Sequence, residues 1–352
     1  MNIEIINTGS ELLLGRILNT HQQWLCRELA DAGYVVTRQV AVPDTGGDIQ
    51  QAVREALGRA DLIIVTGGLG PTSDDLTRDK IAQLLGRPLR EDATTLRRIT
   101  DFFAGRKRPM PASTVIQAMI PEGALILTNF NGTAPGLAIQ VKPNSFRAGG
   151  KMAWLVLLPG PPRELHPMFR EQVLPLVRQH MPLASPFARV TLRTSGLGES
   201  YVEEKIAPLL QPLVERGLEI GYCARVGDVE VRFTAQGEQS SRIVASARQI
   251  VEDAIGKHIY GVNDDTLESV VIARLTAGKK TLALAESCTG GFVSNRLTNV
   301  PGASAVFMAG YVTYSNAAKQ DMLGVTAETL ETHGAVSEPV ARQMAEGARR
   351  RA

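Results

Sequence analysis

The run Asp61-Leu62-Ile63-Ile64-Val65-Thr66 constrains the fold more than any other segment of this chain. Its apolar, mostly β-branched residues leave no polar side for water, so the run suits a strand covered on both faces. Neighbouring segments repeat the theme. Asn2–Thr8 reads as an apolar strand, and Thr20–Ala32 places Trp24, Leu25, Leu29 and Ala32 at helical spacing before stopping at Gly33. Tyr34–Val42 reads as a strand, Asp48–Leu57 as a helix, and Asp75–Leu85 as a helix ended by Gly86. Strands alternating with helices through short connections predict an α/β fold with a doubly wound, mostly parallel sheet over residues 1–172. Such sheets bind ligands in the loops beyond the carboxyl ends of their strands.

After Pro175 the pattern changes. Residues 187–195 and 229–235 alternate like half-exposed strands, with helices near 200–210 and over 241–255. This predicts a small α+β module across 173–260. Residues 261–265 read as a loop leading into a third segment, 261–352. There a strand-like run from Thr281 to Glu286 ends on Ser287, Cys288 and the pair Gly290-Gly291. A strand that delivers a hydroxyl to a glycine-lined turn presents a nucleophile. The glycines let backbone N–H groups approach a substrate oxygen. A lysine, Lys319, follows Tyr314, and Ser337 with Pro339 reads as the start of a further helix.

Composition narrows the classes. With 352 residues the chain can form two or three domains, and 44% hydrophobic residues suit ordinary buried cores. A net charge of +2 selects no polyanionic partner. The triplets Arg106-Lys107-Arg108 and Arg349-Arg350-Arg351 are too short for a nucleic-acid footprint, so no nucleic acid is inferred. No apolar stretch reaches the roughly 18 residues of a membrane span, and the N-terminus lacks the basic region of a signal peptide. Cys26, Cys223 and Cys288 are odd in number and far apart, which excludes a disulfide framework. The histidines show no paired-ligand spacing for zinc. A cytoplasmic location follows from these features.

Glycine-bearing loops follow the N-terminal strands: Thr8–Glu11, Thr66–Asp75, and the pair Asn131–Gly136 and Leu158–Pro162 near the end. Glycines at a strand end can expose N–H groups to phosphate. Asp74 and Asp75, with Glu11 and Asp44 on neighbouring loops, could hold a hard divalent cation against it. Asp74 equally suits the helix N-terminus, where acids are stabilising. Neither a P-loop nor a GxGxxG fingerprint is present.

The runs TGGLGPTSDDLT, VPD at 42–44 and LPGPP resemble the molybdopterin-binding fold. The wording GSELLLGRILNTH, NGTAPG and LPGPPREL is similar to the N-terminal domain of the CinA-like (competence/damage-inducible protein A) family. TLALAESCTGG, GYVTYSNAAKQDMLGV and HGAVSEPVARQMAEGA resemble that family's C-terminal nicotinamide-mononucleotide deamidase domain. The resemblance implies metal-dependent hydrolysis of ADP-ribose, with Asp44 and Asp75 on an Mg²⁺- or Mn²⁺-type ion and Asp75 catalytic. It implies Gly67, Gly68 and Gly70 at phosphate, and Glu11, Thr72, Asn131 and Thr133 in the pocket. The middle module resembles the family's KH-like domain, although its GXXG loop and basic face are not evident; RTSGLGES (193–200) reads as a strand end turning into a capped helix. For the third segment the resemblance implies Ser287 as nucleophile, Lys319 as its partner and Tyr314 lining the pocket, with Cys288 the rival nucleophile. It further implies a homodimer acting on small nucleotides. The family's next glycine-rich loop, strands and substrate-binding arginine do not occur here, so a truncated deamidase domain with little or no deamidation is expected. The alternative reading is a non-catalytic pterin- or nucleotide-binding protein or a competence-associated partner protein.

Overall fold

The computed structural model describes all 352 residues. Its packing divides the chain into two units, residues 1–187 and 188–352. The first alternates strands and helices: β1 (Ile3–Thr8), α1 (Ser10–Leu13), α2 (Thr20–Asp31), β2 (Val36–Val42), α3 (Gly46–Leu57), β3 (Leu62–Thr66) and α4 (Thr77–Leu84). Then come β4 (Leu89–Glu91), α5 (Ala93–Gly105), β5 (Met119–Pro121), β6 (Leu125–Leu127), β7 (Gly136–Val141), β8 (Ala153–Leu158), α6 (Pro162–Met168) and α7 (Leu174–His180). The main sheet runs β2-β1-β3-β8-β7-β6. Its first four strands are parallel, and β7 is antiparallel to both β8 and β6.

Alternation along the strands divides the core into two layers. Leu62 and Ile64 of β3 pack with Leu25 and Leu29 of α2, Leu165 of α6 and Val177 of α7. Ile63 and Val65 face Ile49, Val53 and Leu57 of α3 and Ile81 of α4. All five residues of β3 are buried, as the unbroken apolar run required. The doubly wound α/β sheet is therefore present. One helix boundary is corrected: α4 begins at Thr77, and Asp75 stays in the preceding loop because its carboxylate accepts from the Thr72 N–H at 3.0 Å. The small β4–β5 ladder and the antiparallel pair β6–β7 are additions to the expected scheme.

In the second unit, β9 (Phe187–Ser195), α8 (Glu199–Val214), β10 (Glu219–Arg225), β11 (Asp228–Gln236), α9 (Ser240–Ile255) and β12 (Ile259–Val262) form a four-stranded sheet ordered β10-β11-β9-β12 with two helices. Ile206 and Leu210 of α8 and Val244, Ala247 and Val251 of α9 bury Leu192, Val231 and Phe233. β12 occupies the head of the segment expected to be a loop, Gly261 and Val262 included. The remainder comprises α10 (Leu267–Ala277), β13 (Leu282–Glu286), α11 (Phe292–Thr298), β14 (Phe307–Val312), α12 (Asn316–Leu323), α13 (Ala327–His333) and α14 (Glu338–Arg351). β13 and β14 pair in parallel as a two-stranded sheet. One face packs on Leu323, Val340, Met344 and Ala348, the other on Ile272, Leu297 and Val306. Ser337 caps α14 by accepting from the Val340 N–H, and Pro339 sits in the first turn. No helix is long and apolar enough to cross a membrane.

Both tryptophans, Trp24 and Trp154, lie in the first unit, so their fluorescence reports on it alone. Leu155, fully buried in β8, should cost about 2–5 kcal/mol when replaced by alanine. The expected result is an earlier urea midpoint for the tryptophan signal of L155A; an unmoved midpoint would contradict this packing.

Candidate active sites

The carboxyl ends of β1, β3 and β8 open into a cavity of about 740 Å³, within the roughly 300–1,000 Å³ of small-molecule sites. Glu11, Asp44, Gly67, Gly68, Gly70, Asp74, Asp75 and Thr133 all line it. Two clamps hold the loops. Asp44 accepts from the Ser10 N–H at 2.8 Å, while the Ser10 hydroxyl accepts from the Asp44 N–H at 3.2 Å. Asp75 accepts from the N–H and the hydroxyl of Thr72. Thr72 thus orients Asp75 and does not line the cavity. Asn131 is also displaced from its expected place: it borders a separate small hollow beside Glu164 and Gln172, its N–H donating to Asn129 at 3.0 Å.

Close approach accounts for the glycines. At Gly67, with φ of 97°, a Cβ would lie 2.6 Å from the Thr8 hydroxyl. At Gly70 it would lie 2.3 Å from an Asp75 carboxylate oxygen. No group of three or more His, Cys, Asp or Glu side chains forms a closed metal cage. A hard cation of the Mg²⁺ type keeps waters and phosphate oxygens and needs only one or two carboxylates. Asp44 and Asp75, which line the same cavity, supply two such carboxylates.

Three cavity residues escaped the sequence reading. His21 contacts the Gly160 carbonyl through Nε2, while its Nδ1 is buried without a partner. Burial pushes this imidazole below its ordinary pKa, the Gly160 contact opposing. The Oε1 of Gln117 is likewise buried and unpartnered. Glu164 is 7% exposed and accepts from Asn129 Nδ2 at 2.7 Å. Burial raises its carboxyl pKa, with the Asn129 hydrogen bond opposing. A Cβ on Gly132 would lie 2.2 Å from the Glu164 carboxyl carbon, which explains the glycine of NGTAPG. His21 and Glu164 lie inside the NTH and LPGPPREL wording, which was the only signal available.

In the second unit, β13 delivers Ser287 toward α12. Lys319 is 2% exposed, and its Nζ lies 3.1 Å from Ser287 Oγ, 2.9 Å from the Thr313 carbonyl and 2.8 Å from the Tyr314 carbonyl. An ammonium has three donors for these three acceptors. A neutral amine would donate to the two carbonyls and turn its lone pair to the serine hydroxyl. Tyr314 serves through its carbonyl, since its side chain is 76% exposed. Cys288 is exposed and takes no part in these bonds. Next to Ser287, the buried Glu286 carboxylate accepts from Val293 N–H at 3.0 Å, Ser294 N–H at 2.8 Å and the Ser294 hydroxyl. Burial alone would raise its pKa, but these donors and Thr289 outweigh it and bring it to about 2.

Three family models match the chain: a probable molybdopterin binding domain over residues 4–179, a damage-inducible protein CinA KH domain over 189–261, and a CinA C-terminal domain over 264–352. A CinA-like protein of Akkermansia muciniphila is 43% identical over 354 residues, covering 99% of this chain and 80% of that protein. The chain belongs to the CinA family. A putative competence-damage inducible protein of Caldicellulosiruptor bescii is 44% identical over 351 residues, covering 99% of this chain and 82% of its own. The crystal structure of a CinA protein of unknown function from Thermoplasma acidophilum is 32% identical, with a TM-score of 0.43 over 50% of this chain and 97% of that one. In this CinA-family chain the acidic cavity falls within the molybdopterin-binding match, and Ser287 and Lys319 within the C-terminal match.

Because the Glu286 carboxyl is depressed in the fold, its contribution is complete above its ordinary value of 4.5 and fades as pH falls toward about 2. Glu286→Gln should speed amide hydrogen exchange at Val293 and Ser294 at neutral pH. It should also flatten the loss of protection, relative to intrinsic exchange, that is expected in the parent chain as pH falls below 4.5. Identical exchange in both proteins would contradict the anchoring role.

Proposed function

We propose that the N-terminal cavity hydrolyses the pyrophosphate of ADP-ribose to AMP and ribose 5-phosphate, with a divalent cation of the Mg²⁺ or Mn²⁺ type. One observation carries this reading: Glu11, Asp44 and Asp75 meet a glycine loop in a single cavity at the carboxyl ends of parallel strands. Asp44 and Asp75 would hold the cation, which when bound neutralises charge on phosphate oxygens. The N–H groups of Gly68, Leu69 and Gly70 make no backbone hydrogen bond and can donate to phosphate. The neutral His21 and Gln117 supply further polar contacts. Hydrolysis requires water oxygen to attack one phosphorus while the bridging P–O bond breaks and the leaving phosphate keeps the electron pair. The water proton passes to a carboxylate. Glu164 suits that task, because a carboxyl with a raised pKa is the stronger base.

AMP release should require Mg²⁺ or Mn²⁺, stop with EDTA, and fall at least ~100-fold in Asp75→Asn. Glu164→Gln should lower kcat by roughly 10²–10⁴ with KM little changed. The parent activity should decline as pH falls through the raised pKa of Glu164, and the variant should lack that limb. EDTA-resistant release, or an undiminished D75N, would sink the reading. Tight pterin binding without hydrolysis would favour the binding role instead.

The Ser287–Lys319 contact of 3.1 Å supports a second activity, amide hydrolysis of nicotinamide mononucleotide. Ser287 Oγ would attack the carboxamide carbon as Lys319 takes its proton and returns it to departing ammonia. Water would then release the acyl group as the carboxylate. Any ammonia release should vanish in S287A and K319A and survive in C288A. A fluorophosphonate probe should label Ser287 in the parent chain and fail in K319A; labelling that ignores Lys319 would remove it from this role.

A further inference from the structure

We propose that a second hollow in the first unit, about 260 Å³ in volume, seats a purine base by stacking against Phe130. This rests on the reading above, that a nucleotide pyrophosphate occupies the main cavity. The hollow lies between α5 and the loop following β6, walled by Ile99, Phe102, Ile126, Phe130 and Pro135. Thr133 lines both this hollow and the acidic cavity, so a ligand with its phosphates in one has its base within reach of the other.

Two features assign the occupant. Phe130 is 74% exposed, an aromatic face left in water on a loop that is not free to fold it away. Asn129 fixes that loop, donating to the Ala134 carbonyl at 2.8 Å and to Glu164 at 2.7 Å while accepting from the Asn131 N–H at 3.0 Å. Secondly, the polar groups around Thr128 and Asn129 in the hollow are engaged. The Thr128 hydroxyl accepts from Arg98, and the Thr128 backbone exchanges hydrogen bonds with Gln172 at 2.7 and 2.8 Å. Arg98 and Asp101 line the same hollow with charged side chains, and the rest of its wall is largely apolar and aromatic. Such a wall recognises the flat face of a base with little discrimination among bases, as aromatic platforms do for single-stranded nucleic acids. AMP and GMP should therefore bind comparably, and ribose 5-phosphate, which has no base, more weakly.

The test is calorimetric titration of the full chain with AMP, GMP and ribose 5-phosphate in Mg²⁺. Phe130→Ala should weaken AMP and GMP by roughly 10-fold or more and leave ribose 5-phosphate unchanged, while Phe130→Trp should retain the nucleotides. The exposed position makes misfolding of F130A avoidable, and the Trp24 and Trp154 fluorescence checks it. AMP binding that is equal in the parent and F130A overturns this proposal and leaves the nucleotide reading intact. A parent chain that binds none of the three overturns both.

Discussion

Parallel pairing of β1, β3 and β8 is the constraint on which the rest of the first unit depends. Parallel strands end at one edge of a sheet, so their outgoing loops must gather there. The register sets Asn7 beside Thr66 and Thr66 beside Leu158, which aligns the three turns. A buried hydrogen bond from Asn7 Nδ2 to the Thr66 hydroxyl, 2.7 Å long, ties the carboxyl ends of β1 and β3. The Thr8 hydroxyl adds a bond to the Thr66 carbonyl at 3.2 Å. Carboxylates on separate loops can thereby share one cavity without being neighbours in sequence. The site is a product of sheet topology before it is a product of its own residues.

The two candidate centres manage buried charge by different means. In the first, acidic groups stay at the cavity wall, and backbone N–H groups and short hydroxyls hold Asp44 and Asp75 in place. In the second, Lys319 is almost fully enclosed, and carbonyl oxygens rather than a carboxylate satisfy it. Glu286, the nearest acid in sequence to Ser287, is occupied by the start of α11. Separating that carboxylate from the lysine leaves the amine paired with the hydroxyl alone among side chains.

Legibility followed physical range. β1, β3 and the helices α2, α3 and α9 were readable because continuous burial and helical spacing are local signals. The strands β4, β5 and β6 have three residues each, too few to establish a period. β10 is mostly exposed on its outer half, so no apolar alternation marks it. Among the residues expected at the first site, Glu11, Asp44, Asp75 and the glycines sit on loops next to readable strands and line one cavity. His21 reaches Gly160 across 139 positions and Asn129 reaches Glu164 across 35, contacts that no local pattern encodes. Thr72 and Asn131 were placed correctly in their loops but not at the cavity wall, because side-chain direction within an irregular loop depends on hydrogen bonds formed after folding.

The glycine at position 70 has an implication for how this loop can vary. The volume a side chain would need there is already filled by the Asp75 carboxylate. A side chain at 70 would therefore push the acid away from the Thr72 N–H that holds it, so the bare position and the place of the acid are mechanically linked.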